Sequence, residues 1–148
     1  MQLSDYLSLE NVVLDLAASS KKDLLSKLAD ATSSRAGITK TETINALVAR
    51  EGLGSTGIGQ GIAIPHCIVE SLTQSICMFF RLARPVDFEA VDDVPVDLVV
   101  VLLSPPAQQG QSLNILSCIA RRLRDDKLAS AVRNAETAEE AYVLLTSG

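Results

Sequence analysis

The chain has 148 residues, of which 47% are hydrophobic and 21% charged, and its 13 basic and 18 acidic side chains give a net charge of -5. This length suits one domain, 1–148, and the composition excludes disordered and fibrous classes. Nucleic-acid binding is not expected without a clustered basic surface. One histidine and three separated cysteines exclude most metal chemistry, so we expect no metal site.

The N-terminal part of the chain predicts one strand followed by two helices. Residues 9–16 alternate loosely and are rich in valine and leucine, which is typical of a strand. A serine N-cap and a glycine C-cap enclose apolar residues at helical spacing and predict a helix over 20–37. A threonine followed three residues later by glutamate is a capping-box pattern, which predicts a second helix over 39–51.

The C-terminal part predicts two strands and two further helices. Residues 75–82 alternate at period two, and the almost wholly apolar run 96–103 indicates a strand covered on both faces. Leucines and isoleucines on one stripe predict a long helix over 113–123, and a capping box predicts a last helix over 137–145. Strands interleaved with helices predict an α/β sandwich with helices on both faces of a sheet.

The first residues and the cysteines bear on the compartment. Residues 1–5 lack the basic region and apolar core of a signal peptide, and no apolar run is long enough to span a bilayer. An odd number of cysteines without the spacing of a disulfide framework fits a reducing environment. We therefore expect a cytoplasmic protein that does not insert into a membrane.

Residues 50–66 form the unusual stretch of this sequence, because five of the eight glycines fall within ten residues of it. Glycine lets backbone N–H groups converge on an anion, since no Cβ blocks the approach. The stretch lacks the Gly-Lys-Ser/Thr ending of a P-loop, and it continues into the strand-like residues 62–64 rather than into a helix. Neither NAD nor a nucleoside triphosphate is indicated, and no cofactor is expected.

The only histidine of the chain, His66, closes this stretch directly after Pro65. Proline fixes the backbone before the histidine, so the imidazole should occupy a defined place at the rim of a sheet. Taken singly, His66 is ordinarily a surface or core residue, Ser55 and Thr56 turn residues, and Arg50 a helix cap. Their concentration within seventeen residues favours one anion-handling site that contains a nucleophile or base.

The segment Arg50–His66, with this order of glycines and its Ile-Pro-His ending, closely resembles the active-site segment of the IIA components of the bacterial phosphotransferase system. The similarity is to the fructose and mannitol class, and within it most closely to the nitrogen-regulatory branch. Residues 85–88 and 95–98 resemble the central hairpin and strand of that family, and 113–123 its long helix. The resemblance implies a three-layer sandwich with a mixed sheet and helices on both faces.

The resemblance also implies a chemistry for the segment. His66 would accept a phosphoryl group on Nε2 from a histidine phosphocarrier protein, while a backbone group orients Nδ1. Arg50 would contact the phosphoryl oxygens, which its planar fork of donors matches. Further phosphate-binding residues are implied within the segment: Ser55, Thr56, Gly57 and Gly59.

One position departs from the family pattern. Many relatives carry a second histidine on the long helix, packed against the phosphorylated one, and aligning Gln111–Ile115 puts Asn114 there. Asparagine can donate a hydrogen bond to phosphate but cannot become a cation, so phosphorylation should be slower without being abolished. Cys67 follows His66 on the strand and should point to the opposite face, so it is not the expected nucleophile.

The function that the resemblance implies is a cytoplasmic phosphoryl carrier. Its phosphorylation state would regulate partner proteins, for which potassium transporters and sensor kinases are the candidates. Two alternatives stay open at this point. One is a binding module in which His66 is no longer phosphorylated, and the other is a sugar-specific IIA component that donates phosphate to a IIB domain.

Overall fold

Six strands and five helices make up the fold in the computed structural model, which describes residues 2–147. The strands are β1 Val12–Leu16, β2 Gly57–Gly59, β3 Ile62–Ala63, β4 His66–Ile68, β5 Ile76–Val86 and β6 Val96–Ser104. The helices are α1 Lys21–Ala36, α2 Lys40–Gly52, α3 Gln109–Leu123, α4 Asp126–Arg133 and α5 Ala138–Thr146.

Side-chain caps set the ends of the first two helices where the sequence predicts them. The Ser20 hydroxyl accepts the backbone N–H of Asp23 at the start of α1, and Gly37 ends that helix at a φ of 71°. The Thr39 hydroxyl accepts the N–H of Glu42 at the start of α2. These groups satisfy helix-end donors and carbonyls that have no partner within the helix.

The sheet is mixed, with β6 in its interior. β5 runs antiparallel to β6 and parallel to β1 on its other side, whereas β3 and β4 both run parallel to β6 and β2 runs antiparallel to β3. Every residue of β6 except Asp97 is buried. The strand covered on both faces, predicted from its apolar run, is therefore confirmed.

Two apolar clusters fill the space between the sheet and its two helical layers. On one face, side chains of α1 and α2 such as Leu28 and Leu47 pack with Phe80 of β5. On the other face, side chains of α3, α4 and α5 such as Ile119 pack with Phe79. Successive residues of β5 thus face opposite layers, as a period of two requires. The predicted α/β sandwich with helices on both faces of a mixed sheet is confirmed.

Helix α3 begins four residues before the predicted start, and α4 was not predicted at all. The buried positions of α3 are Ser112, Ile115, Ile119 and Leu123, whereas Leu113, which the sequence places on the buried stripe, is 66% exposed. Asp125 is an N-cap of α4, since its side chain accepts backbone N–H groups of the first turn, but the helix has only eight residues and therefore shows little periodicity. Within residues 2–147, no helix combines the length and apolarity that crossing a membrane requires.

Candidate active site

Two short strands in line, β3 and β4, pair with β6, and the second of them carries His66. Ile62 of β3 pairs with Leu98, and His66 of β4 pairs with Leu102. Pro65 lies between the two short strands, and its carbonyl oxygen accepts the N–H of Leu102 at 3.0 Å. The sequence predicts a strand that ends at the proline, but the strand resumes after it. Proline offers no N–H donor, and its own carbonyl maintains the pairing with β6.

The His66 ring is fixed by its own backbone. Its Nδ1 lies 2.7 Å from the carbonyl oxygen of Ile64, and the ring is half-buried. A carbonyl oxygen can only accept, so Nδ1 carries a proton, and in the neutral imidazole Nε2 then keeps its lone pair. The ring is thus held in the tautomer whose Nε2 can act as a nucleophile.

Two adjoining cavities contain both His66 and Arg50. The larger, of about 450 Å³, lies between α2 and α3 and is bordered by Leu53 and Leu113. The smaller, of about 280 Å³, reaches from the same two residues to the glycine segment. One guanidinium nitrogen of Arg50 donates to the carbonyl of Gly54 at 2.9 Å, which leaves its other N–H groups for an anion. The structure therefore brings the predicted arginine and histidine together.

Ser55 and Thr56 line the smaller cavity, but both hydroxyl protons are used within the protein. The Ser55 hydroxyl donates to the carbonyl of Phe88 at 2.8 Å, and the Thr56 hydroxyl donates to the Glu51 carboxylate. Across residues 2–147, the backbone N–H of Ser55 meets no acceptor. Of the side-chain hydroxyl and backbone N–H donors of these two residues, that amide is the one not used within the described protein.

Gly57 and Gly59 lie outside both cavities. A Cβ on Gly57 would stand 2.8 Å from the Cβ of Ala90, and one on Gly59, at a φ of +99°, would stand 3.2 Å from Asp92. Hydrogen bonds from the Gln60 N–H and, with a smaller effect, from the Val94 N–H hold the pKa of the Asp92 carboxyl below its ordinary value. These glycines let the loop approach the β5–β6 connection closely, which is a different use from the predicted contact with phosphate.

This close packing predicts that Gly57→Ala destabilises the fold. The added methyl group would meet both Cα and Cβ of Ala90, so the free energy of unfolding should fall by about 1–3 kcal/mol. Urea unfolding followed by circular dichroism measures it. The matched control is Gly52→Ala, whose Cβ would meet nothing within 4 Å and should leave stability unchanged or raised. Equal stability of the two variants would contradict the packing.

Helix α3 presents a different residue to His66 from the one the sequence indicates. Asn114 is exposed and lines neither cavity, so the structure does not bring it to the site. It lies two residues before Leu116, which borders both cavities. Two residues correspond to about 200° around a helix, so Asn114 lies on nearly the opposite face of α3 from Leu116. The buried Ser112, one turn before Leu116, lines the larger cavity instead, with its hydroxyl bonded to that of Ser104.

Cys67 contributes no nucleophile beside His66. It packs against the α1 and α2 layer, and burial raises the pKa of its thiol to about 12. The thiol is therefore protonated near neutral pH, and only the thiolate is strongly nucleophilic. Within the described part of the chain, no three histidine, cysteine, aspartate or glutamate side chains cluster in a way that could hold a metal ion.

Known proteins resemble most or almost all of the chain. The sequence profile of the family described as phosphoenolpyruvate-dependent sugar phosphotransferase system, EIIA 2, matches residues 5–148. A nitrogen regulatory protein of Bradyrhizobium diazoefficiens is 37% identical over 145 residues, which cover 98% of this chain and 95% of that protein. A fructose-specific EIIA component of Haloferax volcanii is 34% identical over 102 residues, covering 69% of this chain and 66% of that protein.

Structural similarity agrees with the sequence similarity. The crystal structure of the nitrogen regulatory protein IIA-Ntr from Neisseria meningitidis superposes with a TM-score of 0.92 and 34% identity, covering 97% of this chain and 99% of that one. The fold, the full-length profile match and these relatives lead to one conclusion. The chain belongs to the EIIA type 2 family of the phosphoenolpyruvate-dependent sugar phosphotransferase system.

Proposed function

We propose that the chain is a cytoplasmic phosphoryl carrier that uses His66. Its Nε2 attacks the phosphorus of a phosphorylated histidine phosphocarrier protein. The new N–P bond forms as the donor's N–P bond breaks, and the electron pair of the broken bond stays on the donor nitrogen. The observation that carries this proposal is the 2.7 Å contact between Nδ1 and the Ile64 carbonyl, because it selects the neutral tautomer in which Nε2 is unprotonated.

Arg50 and the Ser55 amide are proposed to stabilise the transferring group. Negative charge spreads over the phosphoryl oxygens in the transition state, so the protein's work is alignment and charge stabilisation. Arg50 borders both cavities that contain His66, and Ser55 borders the smaller one. An Nε2 without a proton needs no general base, so the proposed transfer relies on these donors and on the fixed ring.

Regulation of partner proteins by phosphorylation state is the proposed role. It is supported by the full-length similarity to proteins named nitrogen regulatory protein. Phosphorylation would add a charge of about -1.5 to -2 beside the exposed Leu53 and Leu113, which border the larger cavity. A partner that buries these leucines would distinguish the two states. Potassium transporters and sensor kinases are candidate partners.

A sugar-specific role is the second candidate. The similarity to a fructose-specific EIIA component favours it, although that similarity covers less of the chain. In this role, the phosphoryl group on His66 would pass to a IIB domain. Transfer onward to a sugar in a membrane extract would establish this role in place of the regulatory one.

The test of the carrier function is incubation with phosphoenolpyruvate, the first kinase of the system and a phosphocarrier protein. Mass spectrometry should show one added HPO₃ group that acid removes, as expected for a phosphohistidine. His66→Ala should show none, and circular dichroism checks that this variant is folded. An unmodified wild-type protein would indicate a binding module without phosphorylation, and an undiminished adduct on His66→Ala would also overturn the proposal.

A further inference from the structure

A largely buried ion pair involves the residue next to Arg50 of the proposed site. The side chain of Glu51, the residue after Arg50, is only 5% exposed, and the Lys21 ammonium lies 2.9 Å from its Oε2. The same ammonium stands 4.5 Å from the centre of the Phe88 ring. Burying a carboxylate is costly unless charge and hydrogen bonds compensate it, so Glu51 depends on these partners.

The Glu51 carboxylate also holds the glycine segment. The Thr56 N–H lies 3.2 Å from each carboxylate oxygen, and the Thr56 hydroxyl donates to Oε1. A carboxylate has acceptor sites on both oxygens, which lets it serve these two donors and the ammonium together. The loop from Glu51 to Thr56, which includes the Gly54 carbonyl that Arg50 binds, is thereby closed on itself.

From Thr56 the contacts continue to the imidazole. The Thr56 carbonyl accepts the Ile64 N–H at 3.0 Å, and the Ile64 carbonyl in turn accepts the His66 Nδ1–H at 2.7 Å. Thr56 and Ile64 each donate their N–H to one partner and accept with their carbonyl from the next. One hydrogen-bond chain therefore runs from Lys21 through Glu51, Thr56 and Ile64 to His66.

We propose that Glu51 is a positioning residue for phosphoryl transfer. Through this hydrogen-bond chain it fixes the Ile64 carbonyl, and with it the tautomer and the direction of Nε2. It also fixes the loop whose Gly54 carbonyl holds Arg50. The inference rests on the proposed carrier function, because its kinetic consequence is a consequence for transfer to His66.

The test is Glu51→Gln, which keeps the size of the side chain but replaces one acceptor oxygen with a donor. The first-order transfer rate constant should fall at least about tenfold, since small misplacements of reacting groups are costly. The KM for the phosphocarrier protein should stay unchanged, because Glu51 is almost inaccessible. The ¹⁵N resonances of His66 should shift from the Nδ1–H tautomer toward a mixture of both tautomers. Glu70→Gln, at an exposed position after β4, is the matched control.

Thr56 and Lys21 provide the second set of variants. Thr56→Val keeps the shape but loses the hydroxyl and should slow transfer, whereas Thr56→Ser keeps the donor and should restore most of the rate. Lys21→Met should also slow transfer, and Lys22→Met, at the exposed neighbouring position, should not. If Glu51→Gln does not fold, the Thr56 variants test the inference instead, and equal transfer rates of Thr56→Val and Thr56→Ser would overturn it.

The outcomes separate this inference from the proposed function. A wild-type protein that takes no phosphoryl group contradicts the carrier function, while the ¹⁵N spectrum of Glu51→Gln still tests the hydrogen-bond chain. A wild-type protein that is phosphorylated, together with a Glu51→Gln protein that transfers within about twofold of it and keeps its tautomer, overturns the inference.

Discussion

Replacement of Arg50 by alanine is expected to slow phosphoryl transfer to His66 by about 10²–10³-fold, the usual effect of removing one donor that stabilises transition-state charge. Arg50 is the guanidinium that borders both cavities containing His66, and only one of its nitrogens is committed to Gly54. Its remaining donors match two phosphoryl oxygens in one plane. The chain has an overall charge of -5, so this local positive charge is needed near an anionic donor.

Single-turnover kinetics with the phosphorylated phosphocarrier protein measure this effect. Arg50→Lys should give an intermediate rate, because lysine supplies the charge without the planar fork. Arg121→Ala, at an exposed position of α3, is the control and should transfer at the wild-type rate. An Arg50→Ala protein that retains the rate within about threefold would exclude Arg50 from the transfer step.

The double variant Leu53→Asp, Leu113→Asp is expected to raise the KM for the phosphocarrier protein by about 30-fold, the equivalent of a 2 kcal/mol hot spot. These leucines are 85% and 66% exposed and border the cavity that contains His66. A donor that approaches His66 through this cavity would cover them, so their apolar area would leave water on docking. Two aspartates would lose this contribution and repel the phosphorylated donor.

The KM effect should appear without loss of the rate constant at saturation, since neither leucine takes part in the hydrogen bond that holds the His66 ring. Val143→Asp on α5 is the matched control, because Val143 is also apolar and 60% exposed but lines neither cavity. Steady-state transfer at varied concentrations of the phosphocarrier protein separates the two parameters. An unchanged KM in the double variant would show that the donor docks elsewhere.

Local chemistry made much of the fold predictable. Ser20, Gly37 and Thr39 mark helix ends because their side chains or backbone freedom satisfy terminal groups, which depends on neighbouring residues alone. The apolar run of β6 indicates burial on both faces for the same reason. The order of the strands could not be predicted, because it depends on pairing between distant segments such as β1 and β5.

The candidate site was predictable only in part. The segment from Arg50 to His66 is continuous, so its residues could be placed together from the sequence. The rotation of α3 decides whether residue 112 or 114 faces His66, and leucines that border a cavity resemble leucines of a core stripe. The contact between Lys21 and Glu51 joins α1 to α2, and no local pattern marks it.

The central claim, that His66 carries the phosphoryl group on Nε2, is tested most directly by NMR of the phosphorylated protein labelled with ¹⁵N. We predict phosphorus–nitrogen coupling at Nε2 of His66, with Nδ1 still protonated and bonded to the Ile64 carbonyl as it is in the unphosphorylated protein. Coupling at Nδ1, or a phosphoryl group on any other residue, would contradict it.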